Sequence, residues 1–143
     1  MPRFGRALVV EDYRLARDLM IQVLERAGFE AVGVATGTEA IRRASDGGHD
    51  VILLDIMLPD MNGLDVAAEL RRRPATALTP IVAVTAEAAD EMRSCALAVG
   101  FDAYLVKPID VRTFARDICE AMQNPRSRCG CALQQRGVES PAA

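Results

Sequence analysis

Five polar side chains stand at the ends of four apolar runs. Ala7 to Val10 runs into Glu11 and Asp12, Val51 to Leu54 into Asp55, Ile81 to Val84 into Thr85, and Ala103 to Val106 into Lys107. Three carboxylates, a hydroxyl and an ammonium are the parts of a divalent-metal and phosphoryl site. Lys107 is the one lysine in a chain that otherwise uses sixteen arginines, and it directly precedes Pro108. If the four runs are neighbouring parallel strands, all five groups meet at one edge of one sheet.

Gathered there, Glu11, Asp12 and Asp55 would repel one another without a counter-charge. Mg2+ answers that need, since it prefers oxygen ligands in octahedral geometry and keeps some of its waters. Asp12 and Asp55 are the better direct ligands, with Glu11 acting through water. Taken alone, Asp12 would as readily cap the first helix; beside Asp55 the metal reading is preferred. Asp55 opens the segment Asp55-Ile56-Met57-Leu58-Pro59-Asp60-Met61-Asn62-Gly63. A carboxylate beside a metal is a candidate phosphoryl acceptor, because metal and lysine neutralise the charge building on the transferred group.

Pro59 and Gly63 shape that loop, and the Met57 carbonyl is a further candidate metal ligand. Lys107 is the point charge expected to meet phosphoryl oxygens. A cis Lys107–Pro108 bond would aim its side chain inward. Thr85, followed by the small Ala86, can donate its hydroxyl to a phosphoryl oxygen, although a threonine there is also simply a good strand residue. Met57 and Glu87 lie two residues beyond Asp55 and Thr85, where side chains can overhang the phosphoryl group.

The elements that must position these groups alternate five times. After the first strand, Leu15, Leu19, Met20, Val23, Leu24 and Ala27 mark one helix face, and Gly28 suits the position after its end. A second strand, Ala31–Val34, leads to a capping box at Thr36-Gly37-Thr38-Glu39 and a short helix to about Ser45, ended by Gly47-Gly48. The third strand is Val51–Leu54, and Asn62 is placed to cap the helix that follows. The fourth strand, Ile81–Val84, precedes an alanine-rich helix over Asp90–Val99. After the fifth strand, Asp110 is the expected N-cap of a last helix whose apolar face is Val111, Phe114, Ala115, Ile118, Cys119 and Met122.

Continuous Val, Ile, Leu and Ala in the strands is what a parallel sheet covered on both faces requires. The fold class is therefore α/β, a doubly wound five-stranded parallel sheet. Only the second strand ends without a reactive group. The order 2-1-3-4-5, a flavodoxin-like (βα)5 arrangement, puts it at the edge and the other four side by side.

Half of the 143 residues are apolar, which fits one domain over residues 1–123. Residues 124–143 lack periodicity and are expected to form a flexible C-terminal tail. Residues 1–123 carry a charge of −5 and the tail +2. That balance argues against direct nucleic-acid binding. No apolar run suits a membrane span and no signal peptide is readable. Cys95, Cys119, Cys129 and Cys131 have no even framework and are read as reduced thiols of a cytoplasmic protein. Cys95 and Cys119 are expected to pack within helices, His49 to be a solvated loop residue, and the arginines at 71–73 to favour a helix dipole.

Together, Glu11-Asp12, Asp55…Pro59…Gly63, Thr85-Ala86, Tyr104 and Lys107-Pro108 resemble the receiver domain of bacterial two-component response regulators, from about Arg6 to Met122. The resemblance implies that Asp55 takes a phosphoryl group from a partner phosphohistidine, with Mg2+ held at Glu11, Asp12 and Asp55. The donor would be a sensor histidine kinase or a histidine phosphotransfer protein. It also implies that Thr85 and Tyr104 shift together, which would alter a docking face for a downstream protein on the fourth helix, fifth strand and fifth helix. Tyr104 could otherwise be an ordinary strand aromatic.

The role implied is that of a phosphoacceptor and not an enzyme. The chain resembles stand-alone members of the family. A detached receiver module of a hybrid histidine kinase is the alternative, with a metal-dependent phosphohydrolase further behind. Position 57 is Met, where the dehalogenase-type hydrolases expect a second acid.

Overall fold

Four of the five strands hold runs of apolar side chains at 7–10, 51–54, 81–84 and 103–106 that no solvated sheet face could hold, and both faces are indeed covered. The computed structural model describes residues 4–123; the tail over 124–143, with Cys129 and Cys131, lies outside them. The strands are β1 (Gly5–Val10), β2 (Phe29–Val34), β3 (Val51–Leu54), β4 (Ile81–Thr85) and β5 (Ala103–Val106). They form one parallel sheet in the order β2-β1-β3-β4-β5. Between and after them run α1 (Arg14–Ala27), α2 (Gly37–Ser45), α3 (Gly63–Arg72), α4 (Asp90–Val99) and α5 (Phe114–Gln123).

Alternation along each strand divides the core in two. Leu8, Val10, Ile52 and Leu54 pack with Val66, Ala67 and Leu70 of α3, alongside α2 and α4. Ala7, Val9, Val51 and Leu53 pack with Met20 and Leu24 of α1 and with Phe114 and Ile118 of α5. Residues such as Leu8, Leu24 and Leu70 are wholly buried, so truncating any one to alanine should cost about 2–5 kcal/mol.

The register carries the ladder past the strand ends. Val10 pairs with Leu54, and the Asp55 N–H then donates to the Val10 carbonyl at 3.1 Å. Thr85 pairs with Val106, and the Lys107 N–H donates to the Thr85 carbonyl at 2.8 Å. Strands and site loops are thus one continuous hydrogen-bonded edge.

The structure departs from the sequence reading at several places. β1 and β2 each begin two residues earlier than expected, and β4 includes Thr85. Leu15 and Leu19 are exposed, whereas α1 buries Met20 and Leu24. At about 100° per residue, positions 15 and 19 lie well round the helix from position 20. Asp110 stands one turn ahead of Phe114, where α5 begins: its Oδ1 accepts from the Arg112 N–H at 3.0 Å and its carbonyl from the N–H groups of Thr113 and Phe114, in the manner of an N-cap, while Val111 is exposed.

Cys95 is exposed; Cys119 is partly buried as expected. His49 is not freely solvated. Its Nδ1 is buried without a hydrogen-bond partner among the described residues, and burial pushes its pKa down, reinforced by Arg6 and Arg43. Arg71 does more than face a helix dipole. Its guanidinium donates to the carbonyls of Thr76, Ala77, Thr79 and Gly100 and to the buried Asp102 carboxylate.

Candidate functional site

Glu11 follows β1 and Asp55 follows β3, and both carboxylates are almost wholly buried, while Asp12 is exposed. Each of the three offers a carboxylate oxygen, and these atoms lie within 4.8 Å of one another. Local contacts hold them there. The Glu11 Oε2 accepts from the Tyr13 N–H at 3.1 Å, and the Asp55 Oδ1 accepts from the Met57 N–H at 3.0 Å. Arg17, one turn into α1, donates to the Glu11 carbonyl at 2.9 Å and ties down the β1–α1 loop.

Among the described residues, Lys107 is the cation that touches Glu11 and Asp55. Its Nζ lies 3.0 Å from the Asp55 Oδ2 and also donates to the Glu11 Oε1. Burial alone would lower the Lys107 pKa, but its bonds to Glu11 and Asp55 outweigh that and raise it. The ammonium therefore stays charged. Burial pushes the Glu11 carboxyl up, against the lowering pull of Lys107 and the Tyr13 N–H. The Lys107–Pro108 peptide is cis.

Between β3 and α3 the loop turns back on itself. Met57 bridges to Asn62, and the Gly63 N–H donates to the Ile56 carbonyl at 2.8 Å. A Cβ on Gly63 would lie 2.4 Å from the Asp55 carbonyl oxygen, so only glycine admits this close return. The Met57 side chain is exposed. With Asp12, Met61 and Pro59, it lines an open cavity of about 390 Å³ beside the carboxylates.

Thr85 is wholly buried at the end of β4, and Ala86 beyond it is exposed. Glu87 connects Thr85 to Tyr104. The Glu87 N–H donates to the Thr85 Oγ1 at 3.3 Å, and the Glu87 carbonyl accepts from the Tyr104 hydroxyl at 2.7 Å. The Arg93 guanidinium stands 4.9 Å from the centre of the Tyr104 ring. Glu11, Asp12, Asp55 and Lys107 are thus gathered at one point, with Met57 beside them through its backbone. Thr85 joins through the backbone of Lys107, and Tyr104 lies further along β5.

Sequence reasoning passed over Arg17, Arg93 and Asp60. A basic residue one turn after an acidic strand end could have flagged Arg17. No local pattern marks Asp60, whose partners are in α2.

Such a set, hard oxygen donors with one ammonium and one hydroxyl, suits a divalent cation and a phosphoryl group. A family model described as the response regulator receiver domain matches residues 7–118. The chain belongs to the response regulator receiver domain family. Sensory transduction protein RegX3 of Mycolicibacterium smegmatis is 37% identical over 105 residues, which is 73% of this chain and 45% of that protein. The chain thus spans less than half the length of that curated relative.

Among solved structures, the receiver domain of sensor histidine kinase PA1611 from Pseudomonas aeruginosa PAO1 superimposes with a TM-score of 0.77 at 29% identity, covering 83% of this chain and 98% of that one. That structure holds a magnesium ion coordinated in its active site cleft. Vibrio cholerae chemotaxis protein CheY4 matches with a TM-score of 0.78 at 30% identity, over 82% of this chain and 98% of its own. The phosphohydrolase alternative gives way to this receiver domain. Its described residues include no helix long and apolar enough to cross a membrane.

Proposed function

We propose that Asp55 accepts a phosphoryl group from a phosphohistidine on a sensor histidine kinase or a histidine phosphotransfer protein. The observation that carries this reading is Lys107 Nζ at 3.0 Å from the Asp55 Oδ2, inside a cluster with Glu11 and Asp12. Glu11, Asp12, Asp55 and the Met57 carbonyl would hold Mg2+. When bound there, Mg2+ supplies positive charge against the developing charge of the transferred group.

In the transfer, a carboxylate oxygen of Asp55 forms a bond to phosphorus as the phosphorus–nitrogen bond of the donor breaks. The electron pair of that bond stays on the imidazole nitrogen. The chain's own part is positional and electrostatic. Lys107 meets phosphoryl oxygens, Thr85 donates its hydroxyl to one of them, and the exposed Ala86 leaves room for the group. The Met57 side chain, at the mouth of the cavity, screens the acyl phosphate from water.

The readout is a conformational change. Phosphate on Asp55 draws the Thr85 hydroxyl inward, which disturbs its bond to the Glu87 N–H and, through Glu87, the Tyr104 hydroxyl. The affected surface is α4, β5 and α5, where a downstream protein would dock. The protein acts as a cytoplasmic phosphoacceptor and promotes only its own phosphorylation and dephosphorylation.

Incubation with acetyl phosphate and Mg2+, followed by peptide mass spectrometry, tests the assignment. Label is expected on Asp55 and absent from Asp55→Asn. Label retained in that variant, or found on another residue of the wild type, refutes it.

A further inference from the structure

The loop that leaves Asp55 has an anchor that the proposed chemistry does not use. Asp60, at its tip, reaches across to the start of α2. Its Oδ1 accepts from the Gly37 N–H at 2.8 Å, and its Oδ2 accepts from the Thr38 N–H at 3.0 Å and the Thr38 hydroxyl at 2.8 Å. The first turn of any helix leaves N–H groups without partners inside the helix. Here two of them are met from a segment 22 and 23 residues away. The local cap does something different: the Thr36 Oγ1 accepts from the Glu39 N–H at 3.1 Å.

These three bonds, at the positive end of the helix dipole, hold the Asp60 carboxyl down at about 2. The contact is shaped from the other side as well. A Cβ on Gly37 would lie 2.9 Å from the Met61 Sδ and 2.8 Å from the Val66 Cγ2. Glycine is what lets the loop tip sit flush on α2.

At its base the same loop is closed by the Met57–Asn62 bridge and the Gly63 N–H to Ile56. Its Met57 N–H is bonded to the Asp55 Oδ1. Held at both base and tip, the intervening backbone has little freedom to move relative to the carboxylates.

We propose that Asp60 is a positioning residue for the cation site: by docking on the start of α2 it fixes the loop over residues 57–62, and with it the Met57 backbone beside Asp55. This rests on the reading that Mg2+ binds at Glu11, Asp12, Asp55 and the Met57 carbonyl. Partners of this kind, one step removed from the ligands, typically change metal affinity by 10–100-fold when lost.

The test separates positioning from simple helix stabilisation. Asp60→Ala frees the loop tip, whereas Thr36→Ala strips a cap from the same helix end and leaves the loop attached. Mg2+ titrations on wild type and both variants, each checked for folding by circular dichroism, give the comparison. Asp60→Ala should bind Mg2+ about tenfold more weakly, and Thr36→Ala should match the wild type. Asp60→Asn, which keeps one acceptor oxygen, should fall between and carries the test if the alanine variant does not fold. Wild-type affinity in the Asp60 variants, or equal losses in the Asp60 and Thr36 variants, overturns the inference. A wild type that binds no Mg2+ refutes the metal reading and this inference with it.

Discussion

One ammonium, Lys107 Nζ, joins two buried carboxylates that come from different strands, at 3.0 Å from the Asp55 Oδ2 and in a hydrogen bond with the Glu11 Oε1. In sequence, Asp55 is 52 residues from Lys107 and Glu11 is 96. The pairing exists because β1, β3 and β5 end at the same edge. With Asp12 nearby, three acidic groups face one ammonium among the described residues, a charge balance that suits a divalent cation.

Removing Lys107 should therefore be felt in stability as well as in chemistry. Lys107→Ala leaves the buried Glu11 and Asp55 carboxylates unpaired at neutral pH, a change of about 3 kcal/mol. Urea unfolding should show that loss, and added Mg2+ should recover part of it. A midpoint equal to that of the wild type would contradict the pairing.

Acidity should control cation binding through Glu11. Its carboxyl is raised above the ordinary 4.5 by burial, so protons compete with the cation before the usual carboxylate range is reached. Mg2+ affinity should fall as pH drops toward and through that raised value, and Glu11→Gln should flatten the dependence. The stability term has the opposite sign. Without Mg2+, a raised carboxyl contributes stability that is fully present below the unfolded value and lost as pH rises through the folded one. Isothermal titration at several pH values checks the first effect; a Mg2+ affinity that does not change with pH would exclude it.

Arg71 should matter to the fold and not to the chemistry. It bonds the carbonyls of Thr76, Ala77, Thr79 and Gly100, and at 2.9 Å the Asp102 Oδ2, which also accepts from the Ile81 N–H. Ile81 opens β4, so this network lies at the opposite edge of the sheet from Asp55. Arg71→Met should destabilise by about 3–5 kcal/mol by removing the charged partner of the buried Asp102 and the donor to four carbonyls. The folded fraction should label with acetyl phosphate at the wild-type rate. A loss no greater than that of a surface arginine would show the network to be dispensable.

Beryllofluoride binding should be felt at Tyr104. The Glu87 backbone holds Thr85 through its N–H and Tyr104 through its carbonyl, so displacement of one hydroxyl should disturb the other. NMR shifts should extend from Asp55 to Tyr104 and α4 in the wild type and be curtailed in Thr85→Val. Changes confined to the loops around Asp55 would sever the proposed link to α4, β5 and α5.

The order of strands and helices was legible in the sequence because each element carries its own period. Apolar runs marked β3 and β5 to the residue, and the alanine-rich stretch before Gly100 marked α4. The polar cluster was legible for the same reason, since strand ends in a parallel sheet share one edge. Tertiary structure alone decided what depends on the placement of one element against another.

It turned Met20 and Leu24, and not Leu15 and Leu19, toward the sheet. It gave Arg71 a set of carbonyls in the α3–β4 loop and beyond α4, and it set Asp60 on the start of α2. Those partners lie up to 31 residues away. Periodicity reports which side of an element is apolar; it carries no signal for a hydrogen bond whose acceptor or donor arrives from another loop.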